Sequence, residues 1–487
     1  MTEHLIEAPT KFSQSLLWKL QRDAYCQFGI DAWNQYGVPS YITSNSFIAK
    51  NYAQVVLGYL RDCLSKESID LTHPIYIVDL GAGTGRLAYL FLKELHASIA
   101  SSSLPKLNLC YVMTDIASSN IEFWQQNPQL KPYFEQGLLD CAYFHHAQTD
   151  PIHLINRKET LSQETLVNPM VLICNYFFDT IPQELFRFRN GQLEEGEISL
   201  YTKVEGAIDP AIINQLQCRY SYKSIPQTDS YYDCADLNEL LASYSTIAAE
   251  TPFLFPIGAF QVLKAFKEWS QSSFLLIAAD QGVCTPEQIQ ELPEPKLSLH
   301  GSFSFSVNYH SLAAWFQQQN GVGCLTSFPD RAFVVMAGVL GAQDVPETAL
   351  AFRTHLDSFE PMDYFKLISL LQDEWRKPSL DFMLLLIKLG NWDSNVMNDF
   401  FERMRKTLPG ATENQKRLLC ATIDKVWENF YPTEPAAGSF VLNLGVLLFE
   451  MDFFSEARSY FKRSMDITGV NTTAIENIAA CNHKLRN

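Results

Sequence analysis

At 487 residues the chain exceeds one ordinary hydrophobic core, and two domains are the natural expectation. With 47% hydrophobic and 19% charged residues it has the composition of a globular protein, which excludes a largely disordered chain. A formal net charge of -17 with no Lys/Arg block argues against broad contact with nucleic-acid phosphates, and no apolar stretch approaches a membrane span.

The first residues, Met1 to Glu7, carry neither the basic nor the apolar region of a secretory leader, so a cytoplasmic protein is expected, with delivery to another compartment or a host cell left open. Eleven cysteines, an odd number without a CxxC pair, read as reduced and mostly buried thiols. His145, His146 and His153 lack Cys or carboxylate neighbours at ligand spacing, and no metal is expected.

In chain order, Phe47 to Cys63 has the pattern of an amphipathic helix, preceded by Tyr36–Ser44. This arm reads either as a lid over a ligand or as a packing helix. A short apolar strand, Ile75–Leu80, then runs into Gly81-Ala82-Gly83-Thr84-Gly85 and a helix. A dinucleotide fingerprint would need a third glycine where Arg86 stands. The pattern Asp79-x-Gly81-x-Gly83-x-Gly85 instead suits S-adenosylmethionine (SAM), whose ammonium and ribose hydroxyls call for carboxylates at strand ends rather than a bare anion hole. Asp79 is the candidate for the ammonium, and the turn Gly81, Ala82, Gly83 and Gly85 the segment that admits the cofactor.

A second apolar run, Leu107 to Met113, leads to Asp115 and Ile116, where an acid would meet the ribose diol. Such a charge-assisted hydrogen bond is worth about 1.5–3 kcal/mol. The competing reading of Asp115 is a cap for the helix beginning near Ala117. Further strands are expected near 141–146, 169–174, 273–279, 303–308 and 332–337, which predicts a Rossmann-like α/β sheet, mostly parallel, with helices on both faces. Ligands bind such sheets at the carboxyl ends of the strands, where Gly81, Asp115 and Asn175 converge.

After the fourth strand comes Asn175-Tyr176-Phe177-Phe178-Asp179-Thr180-Ile181-Pro182. Asn175 is a candidate to accept hydrogen bonds from a target nitrogen and also to touch the cofactor, Tyr176 to wall off water, and Asp179 to attract a cation or take a proton. The alternative is an Asn that ends a buried strand beside core phenylalanines. An insertion of about 185–270 opens on a hairpin signal at Asn190-Gly191 and would form a cap near the active face.

The texture changes after about 345, which divides the chain into a catalytic domain, 1–345, and an α-helical domain, 346–487. Near the end, Leu444-Gly445, Leu448, Ala457 and Phe461 have the spacing of a tetratricopeptide (TPR) repeat, with Ile475 and Ile478 recurring 34 residues after Val441 and Leu444. Repeats of this kind commonly bind protein partners, and the alternative is a helical buttress.

Together these motifs resemble the MidA-like SAM-dependent methyltransferase family, which includes the mitochondrial arginine methyltransferase that assists respiratory complex I assembly. The family's ELGPGxG, NEFFDALP, Asp-Tyr-Gly and DITAHVDFxxL segments have counterparts in DLGAGTG at 79–85, NYFFDTIP at 175–182, LLIAADQG at 275–282 and FSFSVNYHSL at 303–312. The resemblance covers roughly residues 36 to 335, not the helical C-terminus. Tyr176 replaces the family's Glu, and the Asp of the last segment is gone, with Ser304 or Ser306 nearby. The resemblance implies SAM-dependent methyl transfer to a protein nitrogen, arginine in the first place, with the repeats recruiting the protein partner. A non-catalytic adaptor and a small-molecule methyltransferase are the alternatives.

Overall fold

The apolar runs separated by helices become the strands of one seven-stranded sheet: β1 (Ile75–Leu80), β2 (Leu109–Asp115), β3 (Leu139–Tyr143), β4 (Met170–Asn175), β5 (Phe274–Asp280), β6 (Val322–Leu325) and β7 (Val334–Leu340). The computed structural model describes residues 3–147, 150–204, 209–225, 230–299, 301–327, 332–372 and 378–486. It divides into two compact units: Met1–Thr43 with Asn51–Glu360, and Ser44–Lys50 with Pro361–Asn487.

The sheet, in the first unit, has the order β3-β2-β1-β4-β5-β7-β6. The first five strands are mutually parallel, β7 is antiparallel to β5, and β6 is antiparallel to β7. Every residue of β1, β2, β5 and β7 is buried, as expected of a sheet covered on both faces. The expected α/β class is therefore observed. Strand order reverses between β1 and β4, and the crevice beyond their carboxyl ends is the place such a sheet offers a ligand.

Two runs fold differently from expectation. The stretch 303–308 forms two two-residue strands outside the main sheet, Phe303–Ser304 paired with Ser298–Leu299 and Val307–Asn308 paired with Gly282–Val283, and Asn308 already caps the helix Tyr309–Gln318 through Ser311 N (3.1 Å). The glycine-containing strand β6 was not anticipated.

The inserted segment builds a second, antiparallel sheet. Its hairpin joins Glu184–Arg189 to Gln192–Thr202 through Asn190-Gly191, both at positive φ. Pro252–Phe255 and Gln217–Ser224 add to it, and so does the N-terminal strand His4–Lys11, paired with Glu197–Thr202. Helix Leu16–Phe28 packs its Leu17, Trp18, Leu20 and Ala24 on this sheet with Phe303 and Phe305. Helix Ile257–Trp269 then returns the chain to β5.

The first unit extends beyond residue 345 because Asp62 caps the helix Pro346–Phe352, accepting from Glu347 N (3.1 Å), Thr348 N (2.8 Å) and Thr348 Oγ1 (2.6 Å). The second unit is helical: Pro361–Gln372, Leu380–Leu389, Ser394–Thr407, Glu413–Glu428, Gly438–Glu450, Phe454–Thr468 and Thr472–Arg486. Ser379, Asp393 and Thr412 cap three of them through side-chain oxygens. Leu444, Leu448, Ala457 and Phe461 are buried where Gly438–Glu450 crosses Phe454–Thr468. In the last helix Ala474 and Cys481 are buried and Ile475 is exposed, unlike its buried counterpart Val441. Among the described residues no helix is long and apolar enough to cross a membrane.

Candidate active site

The glycine turn begins where β1 ends. Gly81, Gly83 and Gly85 have φ of +72°, +55° and +77°, the left-handed region that side chains strain to enter. Space is a second constraint at Gly83, where a Cβ would lie 2.9 Å from the Trp33 ring. Backbone bonds from Ala82 N to Thr114 O (2.9 Å) and Gly85 N to Ala82 O (3.0 Å) close the turn. Trp124 donates to Gly83 O (2.9 Å), and Gly85 leads into the helix Arg86–Ala100.

The segment before the helix Ser46–Ser65 covers this turn. Trp33 stacks on Tyr25 (centroids 6.1 Å apart), and Arg86 lies over the Tyr41 ring at 5.4 Å. Tyr41 of the N-terminal arm thus lies beside the turn, while the helix that follows is a packed one, with Tyr52, Ala53, Val55 and Val56 fully buried.

Asp79, buried in β1, accepts from Tyr111 Oη at 2.8 Å. Burial pushes its carboxyl up to about 7; the Tyr111 bond opposes that shift and the negative Asp115 adds to it. Asp115 is the last residue of β2. Its oxygens accept from Ala117 N (2.9 Å) and Asn120 Nδ2 (3.0 Å), with the Gly83 and Ile116 amides also turned to it. Asp115 thus holds Ala117, the residue before the helix Ser118–Gln126, without bonding an amide of the helix itself, and it also ties the glycine turn to β2. Burial raises its carboxyl above the usual range. Asn120 Oδ1 beside it is buried with no donor among the described residues.

At the end of β4, Asn175 Oδ1 accepts from Tyr52 Oη (2.8 Å) and its Nδ2 donates to Thr43 O (3.2 Å). Tyr176 has φ +49°, a conformation bulky residues rarely adopt, held by its N–H to Ala279 O (2.9 Å) and its ring against Phe333 (6.1 Å). Asp179 is buried, and burial pushes its carboxyl up to about 7, while Asp280 and Ser304 bond to it and oppose the rise. Of Ser304 and Ser306, the two serines of the altered segment, Ser304 is the one that bonds to Asp179. Asp280, the last residue of β5, receives Tyr309 Oη at 2.9 Å.

The structure thus brings Asp79, Gly81, Ala82, Gly83, Gly85, Asp115, Ile116, Asn175, Tyr176 and Asp179 to the carboxyl ends of β1, β2 and β4 and the turns that follow. Sequence reasoning missed Tyr25, Trp33, Asn120, Asp280 and Tyr309. Only Asp280 had a signal, as the acid closing an apolar run before Gln281-Gly282. No Lys or Arg lies within ion-pair distance of Asp79, Asp115, Asp179 or Asp280 among the described residues, so four acids are buried at the carboxyl ends of the strands without a cation. Such a site favours a positively charged ligand over a pyrophosphate.

No protein-family model matches the chain, and no curated protein matches it. Among solved structures it is similar to a protein from Burkholderia thailandensis at 12% identity and a TM-score of 0.42, over 70% of this chain and 90% of that one. It is also similar to a member of the same superfamily from that organism bound to S-adenosylhomocysteine, at 13% identity and a TM-score of 0.43, over 71% and 90%. The CurJ carbon methyltransferase matches at 9% identity and a TM-score of 0.27, over 59% and 54%.

Proposed function

We propose that the first unit is a SAM-dependent methyltransferase acting on a protein nitrogen, in the first place an arginine. The observation that carries this reading is the uncompensated acidic crevice around a three-glycine turn. Bound SAM would supply an electrophilic methyl group on a sulfonium. Asp79 would hold its ammonium, Asp115 with the orphaned Asn120 Oδ1 its ribose hydroxyls, and the turn from Gly81 to Gly85 would pass beside it. Asn175 and Asp179 would orient the acceptor nitrogen, and the Tyr176 and Trp33 rings would exclude water.

The helical unit would recruit the substrate protein. Its support is the TPR-like crossing at Gly445 and an exposed apolar stripe, Phe382, Leu385 and Leu389, along one helix. A second reading, a SAM-binding adaptor without turnover, is favoured by one observation: Asn175 already bonds to Tyr52 and Thr43.

Calorimetric titration with SAM and S-adenosylhomocysteine tests the cofactor assignment. The wild-type chain binds both, and Gly83→Val, which drives a branched side chain into the Trp33 ring from a positive φ, loses binding by at least about a hundredfold. A folded wild type that binds neither ligand overturns the methyltransferase reading. Labelled methyl transfer to proteins that copurify with the chain separates enzyme from adaptor.

A further inference from the structure

Two of the four crevice acids touch each other, an arrangement the acceptor-orienting role assigned to Asp179 does not explain. Neighbouring parallel strands place them: Ala279, just before Asp280, is in register with Asn175, four residues before Asp179. Asp179 is 3% exposed and Asp280 0%. Their carboxyls are in hydrogen-bond contact, with Asp280 holding Asp179's proton affinity down and Asp179 raising that of Asp280. Ionised carboxylates only accept hydrogen bonds, so this contact needs a proton on one of them. Taken as two anions, the pair leaves Asp179 Oδ1 and Asp280 Oδ1 buried with no donor among the described residues. Tyr309 Oη donates to the other oxygen of Asp280, and Ser304 bonds to Asp179.

We propose that Asp179 and Asp280 share one proton, kept on Asp280 and donated to Asp179, so that Asp179 is the single carboxylate that takes the proton of the acceptor nitrogen. Asp280 is then a positioning residue acting through Asp179. The inference rests on the methyl-acceptor reading above. The step is a proton transfer: the N–H bond of the acceptor breaks, its electron pair stays on nitrogen, and the proton bonds to Asp179. The pair passes from one proton and charge -1 to two protons and no charge. Two buried carboxyls in contact cannot both ionise, and one proton is what they retain near neutrality. The other groups facing the pair are Tyr25, Tyr52, Tyr176, Tyr309 and Cys174, all pushed upward by burial and neutral in this range. Asp79 acts on Cys174 from the far side of β4.

The test reads the proton directly, by infrared difference spectroscopy of the full chain across pH 5 to 8, in wild type, Asp280→Asn and Asp280→Ala. Asn at 280 mimics the protonated acid: its amide can donate to Asp179 and its carbonyl can accept from Tyr309. Wild type at neutral pH shows a buried protonated-carboxyl band that Asp280→Asn removes, and Asp79→Asn identifies the contribution of Asp79. Asp280→Asn leaves the titration of Asp179 where it was, whereas Asp280→Ala, with no donor, moves it up by about one pH unit or more. S-Adenosylhomocysteine affinity serves as the folding control, expected within about threefold of wild type in Asp280→Asn.

No protonated band from residue 280 in the folded wild type overturns the proposal. So does an Asp280→Asn protein that binds S-adenosylhomocysteine but shifts Asp179 as Asp280→Ala does, since Asp280 would then act as an anion. A band at 280 in a wild type that binds no S-adenosylhomocysteine keeps the shared proton and overturns the methyl-acceptor reading, and with it the base role of Asp179.

Discussion

At the scale of single residues, Asp79 gives the site a pH dependence that a cationic ligand would read. Its carboxyl is raised to about 7 in the fold, above the 3.8 of an unperturbed Asp. Between those values the folded chain holds a proton that the unfolded chain has lost, so the contribution of Asp79 to stability falls as pH rises through this window and is constant above it. A cationic ligand favours the carboxylate form. SAM should therefore bind more tightly as pH rises from about 5.5 to about 7.5, by up to about tenfold per unit, with release of a proton seen as buffer-dependent heat. In Asp79→Asn the part of the slope and of the proton release that Asp79 supplies should vanish; a slope and release unchanged from wild type exclude Asp79 as the group that meets the charge. Asp79 and the three glycines were legible in the sequence because strand, acid and turn are contiguous. Asn120 was not, because what marks it is an orphaned oxygen; Asp280 closes a legible apolar run, but its pairing with Asp179 was not, since it depends on a partner about a hundred residues away in the chain.

At the scale of elements, what could be read from sequence were the segments whose own pattern decides them. The buried strands β1, β4 and β5 stand within one residue of the expected runs, since a strand covered on both faces is simply a short apolar stretch. The strand His4–Lys11 was illegible because it is half-exposed and draws its register from Glu197–Thr202, some 190 residues away. The helix crossing at Gly445 belongs to the legible kind, for the Leu-Gly pair and the downstream Phe form one pattern. A Cβ at Gly445 would lie 2.6 Å from the fully buried Phe461 ring. Gly445→Ala should destabilise the helical unit by about 1–3 kcal/mol, read as a lower denaturant midpoint. Trimming the obstructing ring with Phe461→Leu should recover part of that loss in the double mutant, a coupling that independent sites would not show. An unchanged midpoint in Gly445→Ala would mean the two helices separate freely and the close crossing is not what holds them.

At the scale of the whole molecule, the crevice acids, the glycine turn and its aromatic cover all belong to the first unit, which ends at Glu360. That unit has its own sheet and core clusters, and the second has its own capped helices, so unfolding of the full chain need not be a single transition. A chain ending at Glu360 should therefore retain SAM affinity within about fivefold. A chain ending at 345 should do worse, although it removes no residue of the crevice. Asp62 would lose the two amides and the hydroxyl it binds at Glu347 and Thr348, leaving a nearly buried carboxylate without donors. Stranding such a group costs about 1–3 kcal/mol or more, because a charged acceptor loses its bonds without regaining water. The difference in melting temperature between the two truncations isolates that cap, and Asp62→Asn in the longer one should reproduce part of it. Equal stability of the two truncations would show that the segment after 345 contributes nothing to the first unit. Loss of SAM binding in the chain ending at Glu360, if it stays folded, would show that the crevice needs residues of the helical unit.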